Sequence, residues 1–329
     1  MISLQKYTSV TMAFSIAAGL MLTAAGQAAH AAYPDKPIRI VIPFAPGGPS
    51  DVLGRAIAQK LNVALGQPVL ADNKPGAGTN LAAEHVARAA PDGYTLLLMM
   101  VGTQAINEAM YSKLAYNTVR DFAPITLTAA SSLILAAHPS VPAKNLKELV
   151  ALSKANPTKF NYGTAGAGTP LHLGGLLFNN LAGTDFQHVP YKGAAPAMNA
   201  VLAGEVSMFC GPITQGLAHV KGGKLKAIGV TGSSISGLVP ELPTLSTTIP
   251  GLVVSSTYMV YAPPATPANI AQLIKTDLRK TWEDKDVRER LGAMGMDLIW
   301  LEGAELTRRV DADLAKWSNV VKTAGIRAD

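Results

Sequence analysis

Apolar runs alternate with amphipathic stretches along most of the chain, beginning at Ile38. The run IRIVI predicts a buried strand, and the segment from Pro49 to Leu61 has apolar residues at spacings of four, which predicts a helix packed on a core. Pro49 suits the first helical position and Gly48 the N-cap. The bend PFAPGG between them therefore offers free N–H groups where α/β proteins bind polar and anionic ligands.

Strand and helix signals continue to alternate up to about residue 127. A short strand around Val69 is followed by a helix over residues 80–90 and a buried strand over residues 94–100. Strands that alternate with helices of this length form right-handed βαβ units around a mostly parallel sheet. The first part of the chain therefore predicts one open α/β layer.

A second α/β unit is predicted from about residue 145. Asn145 and Glu148 form a capping box that starts one helix. Thr169 and Pro170 suit the N-cap and first position of another helix, which ends at Gly183. Each half of the chain therefore contains its own set of strands and helices.

Two long apolar stretches, near residues 127–137 and 252–261, connect these units and predict a hinge of two crossing strands. The helices after the second stretch return to the first unit. We therefore predict domain 1 from residues 32–131 and 255–329, and domain 2 from residues 132–254.

Two loops share the sequence GAGT, at residues 76–79 and 166–169, and each precedes a predicted helix. Chance similarity between glycine-rich turns stays open, so the two GAGT loops do not define an internal repeat. They do indicate that both units present backbone N–H groups to an anion.

The leader, residues 1–31, has the organisation of a signal peptide. Lys6 precedes an apolar run from Val10 to Ala25, and Ala29-His30-Ala31 is an A-x-A cleavage signal. An uncleaved membrane anchor is the alternative, but the run is short for a span of about 20 residues. We therefore expect cleavage after Ala31 and a protein exported to the periplasm.

Composition and charge exclude several classes of function. With 48% hydrophobic and 15% charged residues the chain has ample core material and is not disordered. The net charge of +6 falls to +5 without Lys6, and the excess is scattered, which argues against a nucleic-acid partner and mildly favours small anions.

The sequence contains no signature of catalysis or metal binding. Cys210, the single cysteine, lies in an apolar strand and is expected to be a buried, inert thiol. No Cys/His cluster has metal-ligand spacing, and neither a G-x-S-x-G elbow nor a P-loop occurs. A secreted α/β hydrolase or transferase is therefore the weaker alternative, and we predict no catalytic residue, metal or cofactor.

A series of motifs in register carries a family resemblance. In chain order they are YPDKPIRIVIPFAPGGPSD, NKPGAGTNLAAEHVARAAPDGYTLL, DFAPITL, YGTAGAGTPLHLGG, HVPYKGAAPAMNAVLAGEV, GKLKAIGVT, LPTL and YAPPATP. From about Tyr33 to Ile326 the chain resembles the substrate-binding family of tripartite tricarboxylate transporters, also called Bug-type receptors.

The resemblance implies an α/β fold of the type II periplasmic binding-protein class. In this Venus-flytrap architecture each of two lobes is a mostly parallel sheet flanked by helices. Such receptors capture a small organic carboxylate between the lobes and deliver it to the membrane permease subunits. A receptor that presents its closed form to a sensor kinase is the alternative. We expect a monomer.

In this family the ligand oxygens are held largely by backbone groups and ordered water, and position by position the resemblance implies a set of ligand-binding residues. They are Phe44, Gly47, Gly48, Ser50, Thr103, Thr164, Ala167, Gly168, Thr169, His172, Tyr191 and Thr257. Lys74 and Lys192 are the cationic side chains near these loops, and we expect Lys192 to be solvated or structural.

Several of these residues have a structural alternative. Gly47 and Gly48 could serve only as turn formers, although glycine also lets a ligand approach the backbone. His172 could be a capping or packing residue. Asp51, at the third position of its helix, is expected to cap free N–H groups and not to contact the ligand.

The chain departs from the family pattern at two positions. Thr257 stands where many members have a tryptophan, and Ser207 stands where an acidic residue is frequent. A threonine in place of an indole predicts an enlarged pocket and a ligand bulkier than a small dicarboxylic acid, such as an aromatic carboxylate.

Overall fold

The computed structural model describes residues 33–117, 119–233 and 236–325. The main compact body begins at Lys36. The predicted signal peptide and its cleavage site lie outside the described residues. Within the described residues, no helix is both long and apolar enough to span a membrane.

The described residues form ten strands and ten α-helices, besides two short 3₁₀ helices at Ala77–Thr79 and Leu245–Thr247. The elements of the first part are β1 (Ile38–Ile42), α1 (Pro49–Leu65), β2 (Val69–Asn73), α2 (Asn80–Ala87), β3 (Thr95–Met100), α3 (Thr103–Met110) and β4 (Ala123–Ala137). Those of the middle part are α4 (Leu146–Ala155), β5 (Asn161–Thr164), α5 (Pro170–Ala182), β6 (Gln187–Pro190), α6 (Ala194–Leu202), β7 (Met208–Pro212), α7 (Ile213–Lys221) and β8 (Lys226–Val230). The remaining elements are β9 (Ser255–Ala262), α8 (Ala268–Glu283), α9 (Lys285–Gly292), β10 (Met296–Leu301) and α10 (Gly303–Ala324).

The strands form two groups that share β4. In the first group β2, β1 and β3 are parallel neighbours, and β9 pairs antiparallel with both β3 and β4, while β10 pairs with β4. In the second group β6, β5 and β7 are parallel neighbours, and β7 and β8 pair antiparallel with β4. Each group thus has parallel βαβ strands at its outer side and antiparallel strands at the shared side.

Strand β4 changes partners near its middle. Ser132 pairs with Ser255 at the start of β9, whereas Leu133, the next residue, pairs with Pro212 of β7. Val254, which precedes β9, donates its N–H to Thr231 in the second group. We refer to the first strand group with its helices as lobe 1 and to the second as lobe 2. The predicted domain limits stay a prediction.

The C-terminal helix α10 packs against both lobes. A Cβ built on Gly102, just before α3, would lie 2.3 Å from Trp317 Cδ1, so only glycine permits this approach. Trp317 shares one buried cluster with Ile106 of α3 and with Leu171 and Leu173 of α5. Helix α10 therefore contacts both α3 of lobe 1 and α5 of lobe 2.

Three elements differ from the sequence expectation. Helices α3 and α7 and strand β10 were not predicted, although they lie in described parts of the chain. Helix α7 follows β7 without a loop and contains Gly216, where a Cβ would lie 2.6 Å from Ile134 Cγ2. Short helices that contain a glycine and abut a strand give little periodicity, and tertiary packing decides their structure.

Candidate functional site

The first glycine loop, residues 43–48, joins β1 to α1. Gly47 has a φ of +91°, a left-handed conformation that favours glycine, and Gly48 is the N-cap of α1 with Pro49 at its first position. The N–H of Gly47 donates to Asp51 Oδ2 at 3.0 Å, and Asn73 Nδ2 donates to Phe44 O at 2.9 Å. Side chains of α1 and β2 in lobe 1 therefore hold the loop in its conformation.

Asp51 serves this loop as an acceptor. Arg55 donates through Nε to Asp51 Oδ2 at 3.0 Å, and its Nη2 lies 3.0 Å from Oδ1. Burial raises the pKa of the Asp51 carboxyl, but hydrogen bonds from Arg55, Gly47 and Asn73 outweigh burial and hold the pKa below 3.8. The ionised carboxylate thus caps the loop, and Asp51 is not among the residues that line the cleft cavities described below.

The second glycine loop, residues 165–169, joins β5 to α5. Thr169 is the N-cap of α5, where its hydroxyl accepts from the N–H of His172 at 3.4 Å and donates to Gly166 O at 2.8 Å. Gly168 has a φ of +74° and donates its N–H to His172 Nδ1 at 3.3 Å. The hydroxyl of Thr164 accepts from the N–H of Gly166 at 3.2 Å.

Two stacked imidazoles support this loop from inside lobe 2. The rings of His172 and His188 have centroids 3.9 Å apart at 21°, and His188 Nε2 is hydrogen-bonded to Thr164 Oγ1 at 2.7 Å. Burial lowers the pKa of His172 to about 4, and burial together with His172 lowers the pKa of His188 to about 3. Both rings are therefore neutral at neutral pH and add no positive charge.

The two GAGT loops meet across the cleft. A Cβ built on Gly78 of lobe 1 would lie 3.4 Å from Ala167 O of lobe 2, and one on Gly168 would lie 2.9 Å from Asn107 Oδ1. Both loops line a cavity of about 570 Å³, here the glycine-loop cavity, together with Phe44, Tyr191 and Lys192. Similar loops from the two lobes thus face one space.

A second cavity of about 210 Å³ adjoins it and is here the strand-end cavity. It shares Phe44, Ala45, Ala165 and Lys192 with the glycine-loop cavity. Its other lining residues are Pro46, Gly47, Gly48, Pro49, Ser50, Met100, Leu171, Gly193, Ala194, Ala195, Pro196, Pro212, Gln215, Ser256 and Tyr258. The walls are thus largely apolar, with few polar groups.

The first turns of three helices line the strand-end cavity. They belong to α1 with Gly48 as N-cap, α6 with Gly193 as N-cap, and α7 with Pro212 as N-cap. Helix N-termini carry unsatisfied N–H groups and partial positive charge. Among the lining residues of both cavities Lys192 is the one with a charged side chain, and it is exposed to solvent. The electrostatic character of the cleft is therefore mildly positive and mostly supplied by backbone.

The predicted site residues fall into two groups. Seven line the cavities: Phe44, Gly47, Gly48, Ser50, Ala167, Thr169 and Tyr191. Five others are absent from both linings: Thr103, Thr164, Gly168, His172 and Thr257. Of these five, Thr164, Gly168 and His172 hold the second glycine loop in shape, as the hydrogen bonds above describe.

Thr257 lies on the face of β9 that points away from the cavities. It is 2% exposed, and Arg309 Nη2 of α10 donates to its hydroxyl at 3.2 Å. Its neighbours Ser256 and Tyr258 line the strand-end cavity, because successive side chains of a strand point to opposite faces. The Thr257 side chain therefore does not line either cavity, and the enlarged pocket and bulkier ligand expected from this position stay a prediction.

Sequence reasoning missed several lining residues. Tyr258 pairs with Met100 at the end of β3, and its phenol is hydrogen-bonded to Ser50 and Ser256. Burial raises the pKa of Tyr258 to about 12 against these hydrogen bonds, so the phenol is neutral at neutral pH. The alternation in SSTYMVYA could have grouped Ser256 with Tyr258, and the undetected helix α7 explains why Gln215 was missed.

Cys210 is buried in lobe 2, and burial raises the pKa of its thiol to about 12. This agrees with the expectation of an inert core thiol. The described residues contain no group of three or more His, Cys, Asp or Glu side chains arranged to hold a metal ion.

Two α/β lobes that share a strand, with glycine loops facing each other over a cleft, define a two-lobed solute-binding protein. Residues 53–326 match the family described as tripartite tricarboxylate transporter family receptor. The chain belongs to this family, as its motifs predicted. It is a periplasmic solute-binding receptor and not an enzyme.

Solved structures of similar proteins agree with the fold. The periplasmic binding protein BugD is 32% identical to this chain, with a TM-score of 0.82; the match covers 90% of this chain and 99% of BugD. Rpa4515 of R. palustris, solved with adipate, is 29% identical to this chain, with a TM-score of 0.83; the match covers 90% of this chain and 99% of Rpa4515. MatC of Rhodopseudomonas palustris, solved with malate, is 32% identical to this chain, with a TM-score of 0.81; the match covers 88% of this chain and 100% of MatC. The predicted α/β binding-protein fold is confirmed.

Proposed function

We propose that this receptor captures a small organic carboxylate in the cleft and delivers it to the membrane permease of a tripartite tricarboxylate-type transporter. The observation that carries the proposal is that three helix N-termini converge on the strand-end cavity. The two GAGT loops line the adjoining glycine-loop cavity. Adipate and malate, bound by two relatives, are carboxylates of this kind.

The electrostatics of the cleft support an anion of low charge. Each helix N-terminus stabilises a nearby anion by about 0.3–1 kcal/mol when exposed, and by more when water is excluded. Lys192 adds the one full positive charge among the lining residues, and no acidic side chain is among them. A carboxylate in the cleft can therefore accept hydrogen bonds from N–H donors and meets no negatively charged side chain. A cation is disfavoured by the positive potential.

Closure of the two lobes about β4 and β9 is the proposed mechanism of capture. A ligand drives closure only through contacts that differ between the open and closed states. The glycine loops belong to different lobes, so a carboxylate between them makes its full set of contacts in the closed state alone. Small-angle scattering should show compaction on saturation with a bound carboxylate, and an unchanged radius of gyration would contradict this mechanism.

Binding is tested by calorimetry with carboxylates and their neutral amides. Malate and adipate should give measurable heats, whereas malamide and adipamide should not, because an amide lacks the charge that helix N-termini attract. No binding of any carboxylate would contradict the proposal.

A matched pair of variants tests the place of binding. Gly48→Leu puts a side chain into the strand-end cavity at an ordinary φ of −85°, with nothing within 4 Å of the new Cβ. It should abolish carboxylate binding and leave the melting temperature nearly unchanged. Gly237→Leu, at an exposed glycine with equal free space, is the control and should bind normally.

Export and delivery need separate tests. We propose that the signal peptide is removed after Ala31 and that the mature receptor is a monomer; N-terminal sequencing and light scattering of periplasmic protein check both. Uptake of labelled carboxylate by cells that hold the permease should require this receptor. Uptake that is unchanged without the receptor would contradict delivery and favour a sensory partner.

A further inference from the structure

Gln215 is a polar residue of the strand-end cavity that lacks a hydrogen-bond partner. Its Oε1 atom is buried and accepts no hydrogen bond from the described part of the chain. A buried unpaired amide is costly, so a partner from outside the chain is expected.

The position of Gln215 is fixed by the packing of its helix. It lies in the first turn of α7, directly after Pro212 of β7. The next residue, Gly216, sits so close to Ile134 of β4 that an added Cβ would lie 2.6 Å from Ile134 Cγ2. Gly216 therefore permits a close approach of α7 to β4, and in this packing Gln215 lines the wall of the cavity.

Other polar groups of this cavity already have partners. The phenol of Tyr258 is hydrogen-bonded to Ser50 and Ser256, which form one cluster on the lobe 1 side. Lys192 is exposed and can be hydrated. The amide of Gln215, on the lobe 2 side, is thus the group that a ligand must satisfy.

An amide combines a donor and an acceptor, and this selects the partner. A bare carboxylate only accepts, so it would use the amide N–H and leave the carbonyl unpaired. An ammonium group would pair the carbonyl, but the positive helix ends and Lys192 disfavour a cation. A hydroxyl both donates and accepts and carries no charge.

We propose that Gln215 reads a hydroxyl group of the ligand, so that the receptor selects hydroxycarboxylates over their deoxy analogues. The inference rests on the proposed function, because the carboxylate is taken to lie in the same cavity. A site that pairs a substrate hydroxyl discriminates strongly against the analogue that lacks it, since its own polar group is then left unpaired.

Calorimetry with matched acid pairs tests this selectivity. The pairs are malate and succinate, 2-hydroxyadipate and adipate, and 3-phenyllactate and 3-phenylpropanoate, with aspartate as the amino analogue of malate. For any pair that binds, the wild-type receptor should prefer the hydroxy acid by about tenfold or more. Aspartate should bind more weakly than malate.

The variant Gln215→Met keeps the side-chain length and removes the amide. It should bring the two members of each pair within about twofold of each other by weakening the hydroxy acid selectively. Gln272→Met, at an exposed glutamine of α8, is the control and should keep the wild-type preference. Melting temperatures establish that both variants fold.

The outcomes separate the two proposals. If no acid binds the wild-type receptor, the proposed function itself fails. If acids bind but hydroxy and deoxy members bind equally, or if Gln215→Met retains the preference, the inference is overturned while the function stands. If the methionine variant does not fold, equal binding of hydroxy and deoxy acids by the wild-type receptor still overturns the inference.

Discussion

The two glycine loops of the cleft have the same construction but different supports. Each follows a strand and precedes a helix with proline at its first position. The lobe 1 loop is held by the ionised Asp51 and its partner Arg55, whose side chain is 52% exposed. The lobe 2 loop is held by Thr164 and by the buried, neutral pair of His172 and His188.

This difference shows how two glycine loops of similar construction can depend on supports with opposite protonation behaviour. The lobe 1 support needs a carboxylate to stay charged, and the lobe 2 support needs two imidazoles to stay uncharged. A falling pH therefore destabilises the two loops in different pH ranges. A substitution in one support can lower the stability of one loop without affecting the other. The following predictions use this contrast, beginning with the largest expected effect.

Acidification should destabilise lobe 2 first. The folded-state pKa of His172 is about 4 against an ordinary 6.5, so the unfolded chain takes up its proton at higher pH than the folded one. Its contribution is intact above pH 6.5 and is lost as the pH falls toward 4, by up to about 3 kcal/mol at about 1.4 kcal/mol per pH unit. His188 should add to this loss in the same direction, since its pKa is also lowered.

Chemical denaturation between pH 7.5 and 4 measures this effect. The Asp51 carboxyl, whose pKa is lowered below 3.8, should contribute its stability throughout this range and lose it only below pH 3.8. A receptor with His172→Gln and His188→Gln should show a much flatter dependence on pH. An equally steep loss of stability in that double variant would contradict the role of the imidazoles.

Asp51→Ala should produce the next largest effect. It removes the charged acceptor of the partly buried hydrogen bond from the Gly47 N–H, and a hydrogen bond to a charged group contributes about 1.5–3 kcal/mol of unfolding free energy. Carboxylate binding should weaken as well, because the lobe 1 loop loses its fixed shape. Urea denaturation and calorimetry measure both. Asp51→Asn keeps an acceptor and should lie between wild type and alanine; a neutral Asp51→Ala would contradict the capping role.

Thr169→Ala removes the N-cap of α5 and the hydrogen bond to Gly166 O, and should cost about 1 kcal/mol of stability. Thr169→Ser retains the hydroxyl and serves as the control. Denaturant midpoints of the three proteins should rank wild type and serine above alanine. An alanine variant as stable as wild type would show that the long 3.4 Å capping bond contributes nothing.

Arg55→Met should have the smallest effect. The guanidinium is largely solvated, so its ion pair with Asp51 is screened by water and salt. Melting temperatures of wild type and variant should differ slightly at low ionic strength and converge at 1 M salt. A large difference that persists at high salt would mean that the ion pair is a principal support of the loop.

Local sequence signals predicted those parts of the fold that depend on neighbouring residues. Gly48 and Pro49, and likewise Thr169 and Pro170, occupy the N-cap and first helical positions that their chemistry indicated. The last helix, Gly303–Ala324, is one of the helices expected after the second crossing stretch. The two GAGT loops were visible as a pair, but their meeting across the cleft depends on contacts between the lobes.

The unpredicted features of the site depend on three-dimensional packing. Almost every residue of β9 is buried, so alternation alone did not reveal that Ser256 and Tyr258, and not Thr257, face the cavity. His188 supports the second loop from 16 residues beyond His172, and only the parallel pairing of β5 with β6 brings it under that loop. Gln215 was not predicted as a lining residue because the sequence of α7 has no clear helical periodicity.

The most direct test of the account is hydrogen exchange at both glycine loops, with and without the carboxylate that binds most tightly among malate, succinate and adipate. If one ligand is held between the lobes, the amides of residues 44–50 and 165–169 should both exchange more slowly on saturation. Protection of one loop only, or of neither, in a sample that calorimetry shows to be saturated would contradict the claim that the two loops bind a carboxylate together.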